Sequence, residues 1–141
     1  MVSISSFRFI QCICSSNLPI TDTSFQSYIA RIELALHKGD EMVQQAASKA
    51  LGSLSTRYNV ASLLPKWSTH LKSNSNFILR RGWTTTLGYI HLSEYEVILG
   101  LLCQSLENET DIEAKRNAAK SIGLVFERVT DVESMFLLTS C

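Results

Sequence analysis

The sequence predicts an all-α fold, an array of stacked helical hairpins, on three observations. Hydrophobic residues make up 45% of the 141-residue chain, while six glycines and two prolines are too few for a turn-rich β-sandwich or barrel. The segment DEMVQQAASKALGSL from Asp40 returns as NFILRRGWTTTLGYI from Asn76 and as DIEAKRNAAKSIGLV from Asp111, at offsets of 36 and 35 residues. Within each copy the apolar positions follow the 3.6-residue period of a helix. At ~100–200 residues per domain, the chain is one domain or a piece of a larger one.

The repeat aligns Leu51, Leu87 and Ile122, each followed by a glycine: Gly52, Gly88 and Gly123. Glycine costs a helix ~1 kcal/mol, so its return at one place predicts a tight helix crossing rather than a break. Val43, Ala46, Ala47, Ala50, Leu51 and Leu54 form the apolar side of the first copy. Asp40, Asn76 and Asp111 are placed to cap the three helices, with Thr110–Glu113 as a competing box at the third.

Taken in order, residues 1–22 predict an irregular segment, because Arg8 and Gln11 interrupt the apolar run. A helix at about 24–38 opens on a Thr23–Gln26 capping box and stops at Gly39. Helices follow at about 41–57, 62–73, 77–91, 94–107 and 112–128. Pro65 is admissible only in the first turn of its helix, and Ser93–Glu96 opens the fifth. Residues 23–128 are thus three hairpins, and 129–141 read as a further helix opened at Thr130–Glu133 and cut short. The missing terminal caps predict a fragment of a longer array.

Composition excludes several function classes. Thirteen basic residues balance thirteen acidic ones, which leaves no electrostatic footprint for nucleic acid or an anionic membrane. No apolar run approaches ~18 residues, and the N-terminus lacks a signal peptide's basic region, so a cytoplasmic protein is expected. Cys12, Cys14, Cys103 and Cys141 match neither a zinc pattern nor a disulfide framework, and reduced thiols are expected. His37, His70 and His91 sit near predicted helix ends, where an imidazolium favours the dipole. His91 with Glu94 and Glu96 lacks a further ligand for a metal, and no nucleophile elbow, P-loop or H-E-x-x-H occurs. No cofactor and no catalysis are expected. Trp67 and Trp83 read as core.

The pattern D-x-x-V-R, then small residues and L-G, resembles the HEAT repeat. Here it reads Asp40/Val43/Gln44, Asn76/Leu79/Arg80 and Asp111/Ala114/Lys115. Gln44 and Asn76 depart from the pattern and thin the Asp–Arg ladder that the family suggests between repeats. The tetratricopeptide alternative fails on spacing, since Trp83, Leu87 and Gly88 give W-x3-L-G. The resemblance implies an α-solenoid of about three HEAT-like hairpins, an ARM/HEAT superhelix.

Two stretches resemble the tubulin-folding cofactor D family more specifically, over roughly residues 25–128. Arg81, Gly82, Leu87 and Gly88 match its R-C-G-x-x-x-A-L-G-like helix, which a leucine-rich helix follows. Glu113, Ala114, Lys115, Arg116, Asn117, Lys120 and Ile122 match its E-A/S-R-R-D-G-x-K-A-I stretch. Trp83 is larger than the family's residue, and Asn117 replaces its acid. The resemblance implies a scaffold that binds β-tubulin, works with cofactors C and E, assists heterodimer assembly and GTPase activation, and answers to an Arf-like small GTPase. The competing expectation is a generic HEAT scaffold of transport or phosphatase-regulatory type.

If the second helix of each hairpin lines the concave face, its exposed stripe is expected at Gln45, Ser48 and Lys49, then Arg81, Thr84 and Thr85, then Arg116 and Lys120. Four bases and no acid lie in it, which suits an acidic partner such as tubulin. Gln45, Lys49, Arg81, Thr85, Arg116 and Lys120 are therefore the expected partner-binding residues. Arg80 reads as part of the ladder between repeats, and Arg81 as solvated or as an anion contact.

Overall fold

Residues 1–22, expected to be irregular, contain a helix. The computed structural model describes residues 4–16, 18–37, 40–73, 76–91 and 95–140, with side chains at 72–73 and 130–140 left aside. α1 (Ile4–Ser15) buries Phe7 and Ile10 and packs Cys14 beside them. Arg8, which breaks the apolar run in the sequence, lies on the exposed side of this amphipathic helix.

The remaining elements follow the expected order. α2 (Asp22–His37) starts earlier than predicted, because Thr21 rather than Thr23 is its cap: Thr21 Oγ1 accepts from the Ser24 N–H at 3.1 Å. α3 (Glu41–Ser55) is capped by Asp40, whose carboxylate accepts from the N–H groups of Met42 and Val43 at 2.9 and 3.3 Å. A 3₁₀ turn (Ala61–Leu63) leads into α4 (Leu64–Ser73), which holds Pro65 in its first turn, where no helical N–H is lost. Asn76 caps α5 (Phe77–Tyr89) through the Ile78 N–H at 3.0 Å. α6 (Tyr95–Asn108) and α7 (Ile112–Ser140) complete the chain, and Asp111 rather than Thr110 caps α7 by accepting from the Ala114 N–H at 3.0 Å.

The expected break before residue 129 is absent. No glycine or proline follows Thr130 to stop α7, so the Thr130–Glu133 box is passed through. Gly39, Ser93, Cys141 and the side chains of Met135–Leu138 lie outside the described residues. Among the described residues there is no strand.

Two layers result. α1, α3, α5 and α7 pack side by side in that order, and α2, α4 and α6 form the second layer against α3, α5 and α7. Trp67, Trp83, Leu36, Leu51, Leu54, Leu87, Ile98 and Leu102 fill the space between. Ile122, aligned by the repeat with the buried Leu51 and Leu87, is half-buried, because among the described residues α7 has a neighbour in the row, α5, on one flank only. Leu87→Ala is expected to cost about 2–5 kcal/mol, read as a lowered denaturant midpoint; an unchanged midpoint would refute the repeat register.

The aligned glycines act as the sequence implies at two of three places. A Cβ on Gly52 would sit 2.5 Å from the Tyr89 carbonyl oxygen, and one on Gly88 would sit 2.9 Å from Ser121 Cα. Each glycine thus lets its helix touch the next helix of the row. Gly123 meets nothing within 4 Å. Gly82, which the alignment sets beside Ala46 and Asn117, is a further close contact: its Cβ would lie 2.9 Å from the Leu36 carbonyl oxygen.

A second register position repeats beyond the aligned segment. Arg57 donates to the carbonyls of Ile13 and Leu18 at 3.2 and 2.7 Å, one in the last turn of α1 and one just past it. Arg128 donates to those of Gly88 and Ile90 at 2.6 and 3.0 Å, one in the last turn of α5 and one just past it. The two arginines are 71 residues apart, the sum of both repeat offsets. Each arginine clasps the C-terminal end of the preceding helix in the row.

Candidate partner-binding face

The expected basic stripe does not form as one surface. Lys49, Arg116 and Lys120 are exposed, and Gln45 and Thr85 are half-buried. Ser48 and Thr84 are buried, and Arg81 is only 7% exposed. The cause is the row itself: α3 and α5 have neighbours on two flanks, so positions opposite the core face a neighbouring helix rather than solvent. Ser48 Oγ and Thr86 Oγ1 are hydrogen-bonded at 2.9 Å across α3 and α5, and Ser121 Oγ donates to the Thr84 carbonyl at 2.7 Å across α5 and α7.

Arg81 belongs to a buried polar junction, which corrects its expected exposure. Its Nε donates to Gln44 Oε1 at 3.0 Å, while Gln44 Nε2 donates to the carbonyls of Leu36 and Ile78 at 2.8 and 2.9 Å. One side chain from α3 thereby ties α2 to α5. The Arg81 guanidinium also lies 3.8 Å from Glu113, whose exposure screens the attraction. Gln44, which departs from the repeat's basic residue, supplies the acceptor oxygen that Arg81 needs here and that a base would lack.

Arg80 keeps a ladder role with a different acid. Its Nε and Nη2 donate to Glu109 at 2.7 and 3.0 Å, and Glu109 also accepts from the N–H groups of Thr110 and Asp111, both at 3.1 Å. Burial pushes the Glu109 carboxyl up, but these bonds outweigh it and hold the group below its usual value. Nothing in the sequence periodicity marks Glu109, which sits in the connection between α6 and α7.

Two depressions lie along the exposed side of the row. A shallow one of about 50 Å³ brings together Gln45, Thr85 and Lys120 with Glu41, Tyr89 and Asn117. An open trough of about 430 Å³ beside α1 is lined by Lys49, Gln11, Cys14, Ser53, Tyr89 and His91. Four of the six expected partner-binding residues therefore line adjoining hollows; Arg81 lies between helices, and Arg116 does not line either hollow. Cys14 and His91 share the trough, but burial pushes the thiol up, against Arg57, and the imidazole down, as Arg128 also does. Each of the two groups thus favours its neutral form, which leaves neither an activated thiolate nor an imidazolium in the trough.

His37 and His70 do more than end helices. The Trp83 Nε1–H points to His37 Nε2 at 3.4 Å, the His70 ring stacks on Trp83 at 5.4 Å, and Trp67 lies 5.2 Å away on the same indole. Burial lowers the His37 pKa, as do His70 and, more weakly, Lys66, while Glu33 raises it; Glu33 and Lys66 are themselves paired at 2.7 Å. A depressed folded pKa gives stability that is complete above the unfolded value of 6.5 and lost as pH falls through the folded one. The denaturation midpoint is expected to fall on acidification below 6.5, and less so in His37→Gln. Equal losses in both proteins would contradict this role.

Among the described residues no three histidine, cysteine or acidic side chains are grouped to hold a metal ion, and no helix is long and apolar enough to cross a membrane. No known protein family, curated protein or solved structure matches the chain.

Proposed function

We propose that this chain is an α-solenoid segment of HEAT-like hairpins that serves as a cytoplasmic protein-binding scaffold. The observation that carries this reading is the recurrence of one helix contact along the row, Gly52 against Tyr89 and Gly88 against Ser121. A row built from a repeated contact presents a long surface whose hollows offer hydrogen-bonding groups and cations rather than an enclosed pocket.

The specific partner proposed is β-tubulin, in the heterodimer assembly and GTPase activation performed with cofactors C and E and an Arf-like GTPase. The resemblance over Arg81–Ile90 and Asp111–Ile122 supports it, and Lys49 and Lys120 at the hollows suit an acidic partner. The burial of Arg81 removes one cation from that surface; the alternative is a generic scaffold of transport or phosphatase-regulatory type.

Immobilised chain exposed to purified tubulin tests the assignment. Capture is expected, and Lys49→Glu with Lys120→Glu should slow association most at low salt, where screening is weak. Absence of capture at any ionic strength would remove tubulin and leave the generic scaffold.

A further inference from the structure

We infer that the trough beside α1 binds a small molecule that carries a phosphate monoester. Such a site goes beyond the scaffold reading and stands or falls without it. The floor of the trough is one side of α3, where Lys49, Gly52, Ser53 and Thr56 follow at spacings of three, one and three residues. Gln11 and Ser15 of α1 form one wall, and Tyr89 and His91 at the end of α5 form the other. Both walls are tied to the floor: Arg57 donates to the Ile13 carbonyl at 3.2 Å, and the His91 N–H donates to Ser55 Oγ at 2.9 Å.

The lining is rich in donors. Ser15 and Thr56 turn their hydroxyls back onto the carbonyls of Gln11 and Ser53. The side chains of Gln11, Lys49, Ser53 and Tyr89 make no hydrogen bond or ion pair among the described residues. Donors from three helices are therefore open to a ligand. Among the described residues no acidic side chain lines the trough, whereas Glu41 lines the smaller hollow beside it.

Charge decides the sign of that ligand. The C-terminal ends of α1, α3 and α5 meet here, each with a dipole charge of about −0.5. Lys49, Arg57 and Arg128 set three full positive charges against them, and both arginines are bonded to carbonyls rather than carboxylates. Their fields reach the walls: burial raises the Cys14 thiol pKa and Arg57 opposes it, while burial lowers that of His91 and Arg128 adds to the effect. The balance is positive in a chain of zero net charge. A phosphate monoester brings a charge of about −1.5 to −2 and three acceptor oxygens, which suit donors arriving from three helices better than the two coplanar oxygens of a carboxylate. At about 430 Å³ the trough has room for more than a bare ion and falls within the ~300–1,000 Å³ of small-molecule sites.

Calorimetric titration of the full chain with glycerol 3-phosphate at constant ionic strength tests the site. Saturable binding is expected, tighter than that of inorganic phosphate and absent with glycerol. Lys49→Gln, at an exposed position, should weaken it about tenfold. Ser53→Asp, which sets an acid among the donors, should abolish it, and Lys49→Arg should retain it. Lys115→Gln removes the same charge from an exposed position on α7 outside the trough and should leave binding unchanged. No saturable binding overturns the proposal, as does binding indifferent to both Lys49→Gln and Ser53→Asp in proteins with parental denaturation midpoints. Equal weakening by Lys49→Gln and Lys115→Gln overturns it in favour of a net-charge effect. Sedimentation of the chain with phosphatidic acid vesicles, without binding of glycerol 3-phosphate, overturns it in favour of a lipid headgroup.

Discussion

Trp83→Ala is expected to destabilise the protein by about 3–5 kcal/mol, the largest effect of any single truncation in the core. The indole is fully buried between the layers, with Trp67 at 5.2 Å and His70 stacked at 5.4 Å. Its loss leaves a cavity against two further rings and removes the Nε1–H donor to His37. Against a typical total stability of about 5–15 kcal/mol, this is enough to leave a substantial unfolded population. Trp83→Phe keeps most of the volume and should cost visibly less. Urea denaturation of the three proteins checks the order; coincident transitions would mean that Trp83 is not central to the core.

Glu109→Ala is expected to cost about 3 kcal/mol, because it removes the acid from a largely buried pair and leaves the Arg80 guanidinium without it. The same side chain satisfies the N–H groups of Thr110 and Asp111 at the start of α7, so the helix cap weakens as well. The sign of the pH dependence follows from the lowered carboxyl pKa. Stability from Glu109 is present above the unfolded carboxylate value and is lost as pH falls through the folded one. Acid denaturation should therefore begin at higher pH in a control that keeps Glu109 than in Glu109→Gln relative to its own neutral-pH baseline. Parallel acid transitions would show that the pair does not control this step.

The apolar register of the inner helices was legible because burial between layers imposes the 3.6-residue period on Leu51, Leu54 and Leu87 alike. The caps at Asp40, Asn76 and Asp111 were legible because the chemistry of orphan N–H groups is local. α1 was not, since an amphipathic helix with one arginine and one glutamine in a short apolar run resembles a broken hydrophobic segment. The candidate surface was only partly legible. A helix reading in isolation assigns two sides, buried and exposed, and so places Ser48, Arg81 and Thr84 in solvent. Packing in a row gives each helix two flanks, and hydroxyl groups there bond to the next helix instead. Glu109, Gln44 and Arg128 each make a contact 29 or more residues away in sequence, which no local period encodes.

The row of helices built on a repeated glycine contact is tested most directly by alanine at Gly52, Gly88 and Gly123, measured by denaturant midpoint in one buffer. At Gly52 and Gly88 the added Cβ meets backbone or short side-chain atoms at 2.5–2.9 Å, so each variant should lose about 1–3 kcal/mol. At Gly123 the Cβ enters open space, and the higher helix propensity of alanine should gain up to about 1 kcal/mol. Midpoints that move down, down and up would support the arrangement; three midpoints that all rise would contradict it.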